Sequence, residues 1–319
     1  MSLSELKRFI RDTASNLGFS HVGIAPAVQD SNTAQQLKQW LNNGYHASMG
    51  WMQTRAEERS DIHTYFPEAK SVISLSMNYF TGSSDSYNNI GKISNYAWGD
   101  DYHEIIKPRL YELLNSIKSK QQPDIKGVVC IDTSPVMEKA WAQKAGLGWI
   151  GKHTNLITND YGSWIFLGEI LLNIELEYDL PFTEDLCGSC TACLDACPTS
   201  AFPEPYVLDA SKCISYLTIE HRGNLPDEME SKLSGWIYGC DICQEVCPWN
   251  IKFSQISDEI PFQPRDNIQK HHIDDWDHLT VDEFRILFKD STIKRTKFEG
   301  FKRNIDNVRK SMDEPLDSE

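Results

Sequence analysis

Cys187-Gly-Ser-Cys190-Thr-Ala-Cys193-Leu-Asp-Ala-Cys197-Pro198 is the stretch that decides the fold. In the spacing C-x2-C-x2-C-x3-C-P, three closely placed thiolates wrap one corner of an iron–sulfur cubane and the fourth reaches a second cluster. An incomplete copy follows as Cys240-x2-Cys243-x3-Cys247-Pro248, and the isolated Cys213 can supply its missing ligand. These eight cysteines suffice for two four-thiolate clusters. The crossing pattern gives Cys187, Cys190, Cys193 and Cys247 to one [4Fe–4S] cluster, and Cys197, Cys213, Cys240 and Cys243 to the other. Two four-cysteine zinc sites would accept the same ligands, but the Cys-Pro endings and the crossing favour iron. The ninth cysteine, Cys130, sits in the apolar run Gly127 to Ile131 and reads as a buried strand residue.

Around this block lies a chain of 319 residues with 31 basic and 46 acidic side chains, a formal charge of −15 and 40% hydrophobic content. Its mean hydropathy is −0.45. A chain of this size buries a sizeable core without disulfide staples, and the tight cysteine steps signal metal ligation in a reducing compartment. The apolar stretches Trp164 to Leu167 and Ile170 to Leu172 are broken by Gly168 and Glu169, far short of a membrane span. The amphipathic N-terminus lacks the apolar core and cleavage site of a signal peptide, so it reads as the first helix of a cytoplasmic protein.

Residues 1–180 alternate helical stretches near 31–43, 102–120 and 135–145 with β-rich runs at Phe19 to Ala25, Ser71 to Tyr79, Gly127 to Ile131 and Trp164 to Asn173. This predicts an α/β (α+β) domain. A polar loop spans Thr81 to Lys92, and the acidic segment Glu175 to Asp185 is the boundary candidate. The cysteines occupy a second domain, 181–255, and a helical extension, 256–319, opens with a capping box at Thr280 and Glu283. Between Lys294 and Lys310 seven basic residues face two acidic ones, a basic patch on an acidic protein.

No GxGxxG or Walker spacing marks the front domain, and Gly146 to Lys152 reads by itself as a tight turn. Asp132 follows a strand and precedes Thr133-Ser134-Pro135. It either caps the next helix or faces a ligand crevice at the strand end. The run Asn95 to His103 is dense in aromatics that read as core, with His103 as a satisfied histidine.

Taken together, several segments resemble the epoxyqueuosine reductases, cobalamin-dependent iron–sulfur enzymes that complete queuosine synthesis in tRNA. They are Tyr96-Ala-Trp-Gly-Asp-Asp-Tyr-His103, Asp132-Thr-Ser-Pro-Val136, Gly146-Leu-Gly-Trp-Ile-Gly-Lys-His-Thr-Asn-Leu-Ile157, Gly162-Ser163 with Leu167-Gly-Glu169, and the cysteine block through Cys247-Pro-Trp-Asn250. The resemblance spans about residues 1–310. It implies a nitroreductase-like cobalamin-binding domain, a two-cluster ferredoxin-like domain and a short helical extension. Family members often continue into a HEAT-like module, of which Gly300-Phe-Lys-Arg-Asn304 resembles the start.

The resemblance further implies that Asp132 is the proton donor above cobalt. It gives Arg55, Ala97, Asp132, His153, Leu156, Leu167, Ser215 and Asp241 as corrin contacts. The implied reaction consumes two electrons and two protons: Co(I) attacks the epoxide of the wobble nucleoside, Asp132 protonates the oxygen, and water leaves. Burial beside the corrin would keep Asp132 protonated. The implied partners are tRNA with a GUN anticodon, docked on Lys294, Arg295, Lys297, Lys302 and Arg303, and a low-potential donor such as ferredoxin or flavodoxin; the chain acts as a monomer. Two rival readings are a dehalogenase-like reductase of a small electrophile, which usually carries a twin-arginine signal not seen here, and a ferredoxin-type electron carrier.

Overall fold

Four strands, His21–Pro26, Ser71–Asn78, Ile165–Leu172 and Gly127–Cys130, pair side by side in that order, and every pairing is antiparallel. The computed structural model describes residues 1–83, 91–120, 124–269 and 273–313, so residues 84–90 of the Thr81 to Lys92 loop lie outside the described residues. All four strands coincide with the apolar runs. The direction of pairing corrects the α/β reading and selects α+β. Pro26 lies opposite Ser71, so the chain leaves the sheet and re-enters beside its own exit after the short helices Ser31–Asn42, Gly50–Thr54, Ala56–Ser60 and Ile62–Tyr65. The rule that places ligands at the strand ends of parallel sheets therefore does not apply to Asp132.

Helices cover both faces of the sheet. On one, Ile73, Leu75, Met77, Ile170 and Leu172 pack against Leu6 and Ile10 of helix Leu3–Asn16 and against Leu110, Leu113 and Ile117 of helix Tyr102–Lys120. On the other, Val72, Cys130 and Leu171 meet Trp141, Ala142 and Ala145 beside helix Glu138–Lys144. The alternation of strand side chains sends Val72 and Ile73 to opposite layers.

A second core ignores the expected boundaries at 180 and 255. It joins Ile93, Ala97 and Trp98 to Leu217, Trp236 and Tyr238 and to Phe284, Phe288, Phe301 and Ile305. Strand Lys92–Ile93 runs parallel to Trp236–Tyr238. The capping box at Thr280 forms and starts helix Val281–Leu287, and helix Lys297–Asp313 completes this core. A strap precedes both. Ser257 N donates to Phe80 O at 2.7 Å, Asn78 Nδ2 to Gln255 O at 2.8 Å, and Arg109 grips both Glu259 oxygens at 2.8 and 2.7 Å. A Cβ on Gly99 would lie 2.4 Å from Pro261 O, so only glycine lets the strap pass.

The acidic segment 175–185 is docked on the sheet edge. Asp179 N donates to Ile24 O at 2.7 Å, and Asp179 Oδ2 accepts from Ile24 N at 2.9 Å, which satisfies backbone groups that an edge strand leaves open. Among the described residues no helix is long and apolar enough to cross a membrane.

Candidate functional site

The cysteine loops are short turns that place thiols and little else. Helix Ala192–Asp195 follows Cys190, and helix Ile242–Glu245 follows Cys240 and Asp241. Burial, followed by the like charges of Cys247, Cys187 and Cys190, pushes the Cys193 thiol up to about 11. Burial likewise raises Cys247, which again faces Cys187 and Cys190. Half-buried Cys240 faces Cys243 and Cys213, and half-buried Cys213 faces Cys197. Cys243, a charge neighbour of Cys213 and Cys197, also faces Cys193, so the thiols of the two expected groups stand close to one another. Thiolates so crowded need a compensating cation. Among the described residues no three such side chains converge on one ion.

Asp132 stands on the turn after strand Gly127–Cys130, with φ 45° in the left-handed region that Asp tolerates better than most residues. It caps no helix: helix Glu138–Lys144 starts six residues later without a side-chain cap. It is also not buried, for its side chain is 61% exposed. Instead it ends a chain of charges. Lys294 Nζ contacts Asp101 Oδ2 at 2.9 Å, Asp101 Oδ1 meets His103 Nδ1 at 2.7 Å, and His103 Nε2 meets Asp132 Oδ2 at 3.3 Å. Burial pulls the His103 pKa down, but the hydrogen bonds to Asp101 and Asp132 outweigh it and raise it to about 9. Asp101, almost fully buried, is opposed by burial but held well below the carboxylate range by His103 and Lys294. Asp132 is thus an exposed carboxyl that faces a His103 protonated at neutral pH. Sequence reading took His103 as merely satisfied; it is satisfied, and by the candidate donor itself.

A cavity of about 80 Å³ opens between the sheet and the cysteine loops, lined by Tyr79, Lys139, Asn155, Leu156, Ser163, Ile165, Leu167 and Gln244. Lys139 Nζ donates to Thr154 O at 3.0 Å and Asn155 Oδ1 at 2.8 Å. Crowding by protein lowers this ammonium, while Glu138, Cys243, Cys213 and Asp132 pull it back up. Asp132 and two thiols of the second group therefore share one charged neighbour. Gln244 Nε2 reaches Ser163 Oγ and O at 3.1 Å, and Asn250 Nδ2 reaches Ser163 Oγ at 2.9 Å, which fixes the cysteine loops to the sheet. Lys152, at the end of the glycine-rich turn, donates to the carbonyls of Gly188 and Cys190 at 2.6 and 2.9 Å.

The other predicted contacts divide. Leu156 and Leu167 line the cavity. His153 is buried; its Nδ1 accepts from Asn155 N at 3.2 Å and its Nε2 has no partner among the described residues. Burial and Lys139 push its pKa down to about 4, so it is neutral. Ala97 lies in the second core, and Ser215 is half-buried beside Cys213. Arg55 pairs with Glu58 at 3.1 Å over the Tyr65 ring. Asp241 accepts from Ser94 Oγ at 2.5 Å and Asn95 N at 2.7 Å, and so anchors the two halves to each other.

The basic residues divide as well. Lys294, Arg295 and Lys297 are exposed, Lys294 at the rim of the Asp132 site. Arg295 holds Glu220 with two bonds of 2.9 Å and lies 5.2 Å from the exposed Trp51 ring. Lys302 is tied to Asp277. Arg303 donates to the carbonyls of Leu217, His221 and Gly223 at 2.7, 3.0 and 2.7 Å, and burial and Arg222 lower its pKa to about 10. Its charge is spent inside the fold, which corrects its expected place on a docking surface.

Comparison with known proteins agrees with this geometry. Residues 59–133 match the family model described as "Epoxyqueuosine reductase QueG, DUF1730", and residues 186–250 match the "4Fe-4S double cluster binding domain". The chain is 44% identical over 303 residues to the epoxyqueuosine reductase of Cyclobacterium marinum, covering 95% of this chain and 96% of that protein. It is 44% identical over 287 residues to that of Synechocystis, covering 89% and 98%. The crystal structure of an epoxyqueuosine reductase with an epoxyqueuosine-modified tRNA-Tyr stem loop superposes with a TM-score of 0.88 at 30% identity, covering 97% of this chain and 82% of the other.

Proposed function

The chain belongs to the epoxyqueuosine reductase family of oxidoreductases, and from that premise we propose that it reduces epoxyqueuosine to queuosine at the wobble position of tRNA, the last step of queuosine synthesis, with bound cobalamin and two [4Fe–4S] clusters. The observation that carries this reading is that one cavity is lined both by Lys139, on the helix that follows Asp132, and by Gln244, next to Cys243 in the cysteine loops. Electron supply and proton supply thus meet at one cleft.

The residues present fit a corrin. The ring's apolar face suits Leu156, Ile165 and Leu167, and its amide rim suits unpartnered donors. His153 is one: with Nδ1 accepting, the neutral ring carries its proton on the buried, unpartnered Nε2. Lys139 and Asn155 add further polar groups to the lining. When bound, cobalamin supplies a strongly reducing, nucleophilic metal centre, the hard chemistry that protein side chains lack. On this reading the front domain is the nitroreductase-like cobalamin fold.

The chain's own work is proton delivery and positioning. His103, charged at neutral pH, holds Asp132 Oδ2 at 3.3 Å. A proton passes from His103 Nε2 through Asp132 to the departing epoxide oxygen. Asp101 and Lys294 fix the tautomer and orientation of His103. Electrons enter from a low-potential donor such as ferredoxin or flavodoxin, cross the Cys187 group and reach the Cys197 group. The exposed Lys294, Arg295 and Lys297 meet the phosphates of a GUN-anticodon tRNA, in the cytoplasm, with the enzyme acting as a monomer.

Nucleoside mass spectrometry tests the function. Anaerobic incubation of epoxyqueuosine-containing tRNA with reconstituted protein, cobalamin and a strong reductant should remove one oxygen atom from the wobble nucleoside, and omitting cobalamin should abolish the change. No conversion with clusters and cobalamin verified as bound overturns the proposal.

A further inference from the structure

Behind Asp132 lies a second set of acids that the mechanism above leaves unused. Glu169 is fully buried in the otherwise apolar strand Ile165–Leu172, and both its carboxyl oxygens have no hydrogen-bond partner among the described residues. Across the sheet it faces Ser74, whose buried hydroxyl is also unpartnered, and Cys130. Above that row stands Glu138, the first residue of its helix, with Oε1 buried and unpartnered.

An ionised carboxylate left without partners in such a place costs several kcal/mol, so the group takes up a proton instead. Burial, then the charge of Asp132, raises Glu138 to about 8; Lys139 and Arg59 pull the other way. Burial and the charge of Glu138 raise Glu169 well above the carboxylate range. Cys130 faces both glutamates, and its thiol, pushed up to about 12 first by burial, stays protonated. At neutral pH two carboxylic acids therefore stand behind Asp132.

The reduction consumes two protons, and the His103–Asp132 pair accounts for one. We propose that Glu138, backed by Glu169, is the store of the second proton and returns it to Asp132. This deepens the functional reading and rests on Asp132 as donor. In the step, the O–H bond of Glu138 breaks and an O–H bond forms on the Asp132 carboxylate. The negative charge moves inward to Glu138, and because the buried Glu169 behind it is neutral it meets no second negative charge there. Asp132 then delivers this proton to the oxygen that leaves as water, and Glu138 is refilled from solvent when the product departs.

The test uses the holoenzyme with clusters and cobalamin. Infrared spectra should contain two carboxylic-acid carbonyl bands at neutral pH, one removed by Glu138→Gln and the other by Glu169→Gln, with the Glu138 band titrating near pH 8. Glu138→Gln should lower kcat about tenfold or more with KM for tRNA unchanged, and abolish the activity limb near pH 8. Wild-type spectra without such bands overturn the proposal, and so does Glu138→Gln with wild-type kcat and pH profile. Asp132→Asn, run in parallel, separates the failures. If it keeps turnover, the donor reading falls and the store falls with it; if it loses turnover while Glu138→Gln does not, only the store falls. Should Glu169→Gln not fold, the wild-type spectra and the Glu138 variant decide alone.

Discussion

The cysteine loops and the Asp132 cleft are two halves of one site built in opposite ways. In the loops, seven of the eight cysteines have only two or three residues between them and another of the set, so spacing along the chain is nearly the geometry in space. In the cleft, Lys294, Asp101, His103 and Asp132 come from a C-terminal turn, a helix start and a strand end, and only packing assembles them. Metal sites of the first kind are legible as motifs because the cluster, not the fold, sets the spacing. Proton-handling sites of the second kind are not.

Cys213 is where this contrast is easiest to break. It is the one ligand candidate without a near neighbour in sequence, yet its charge neighbour is Cys197. If it completes the second cluster, Cys213→Ser should halve the iron content, leave the cluster of Cys187, Cys190, Cys193 and Cys247 visible by electron paramagnetic resonance, and abolish turnover. Full iron content in that variant removes Cys213 from the ligand set and returns its group to three thiols.

Asp132→Asn probes the other half. General acid help is worth about 10²–10⁴-fold, so kcat should fall by that much while cobalamin and cluster contents hold. The His103 pKa, raised from 6.5 to about 9, gives this tie a pH signature. Its contribution to stability is complete below pH 6.5 and is lost as pH rises through 9. The melting temperature of the wild type should therefore fall toward that of Asp132→Asn across this window. A constant gap between the two would break the assignment of His103 as the charged partner.

What could be read from the chain follows the same division. The four strands were legible because each is an apolar run, and Cys130 was legible as a buried residue within one. Their antiparallel pairing was not, since helices of ordinary length permit re-entry at either end of a sheet. Asp132 was legible from its place after a strand and from a resembling segment, but its partner was not: His103 arrives from 29 residues upstream. Glu169 did leave a signal, a lone acid in the run Ile165–Leu172, which reads in the sequence as a break in hydrophobicity and as part of a resembling segment, not as a buried acid.

The basic segment sharpens the contrast at smaller scale, because residues alike in sequence do different work. Arg303 lends its guanidinium to three carbonyls around helix Ile214–Ile219. Hydrogen bonds to charged groups are worth about 1.5–3 kcal/mol, so Arg303→Ala should destabilise the protein by roughly 2–3 kcal/mol in chemical unfolding. Lys297 is exposed at the start of helix Lys297–Asp313 and forms no ion pair among the described residues. A residue so placed can meet a phosphate without first breaking an internal bond, and phosphate contacts weaken as salt rises. Lys297→Glu should raise KM for tRNA about two- to fivefold at low salt, with kcat and melting temperature unchanged, and the difference should shrink as salt is added. If instead Lys297→Glu unfolds the protein like Arg303→Ala, or its effect on KM is independent of salt, the segment is structural throughout and tRNA docks elsewhere.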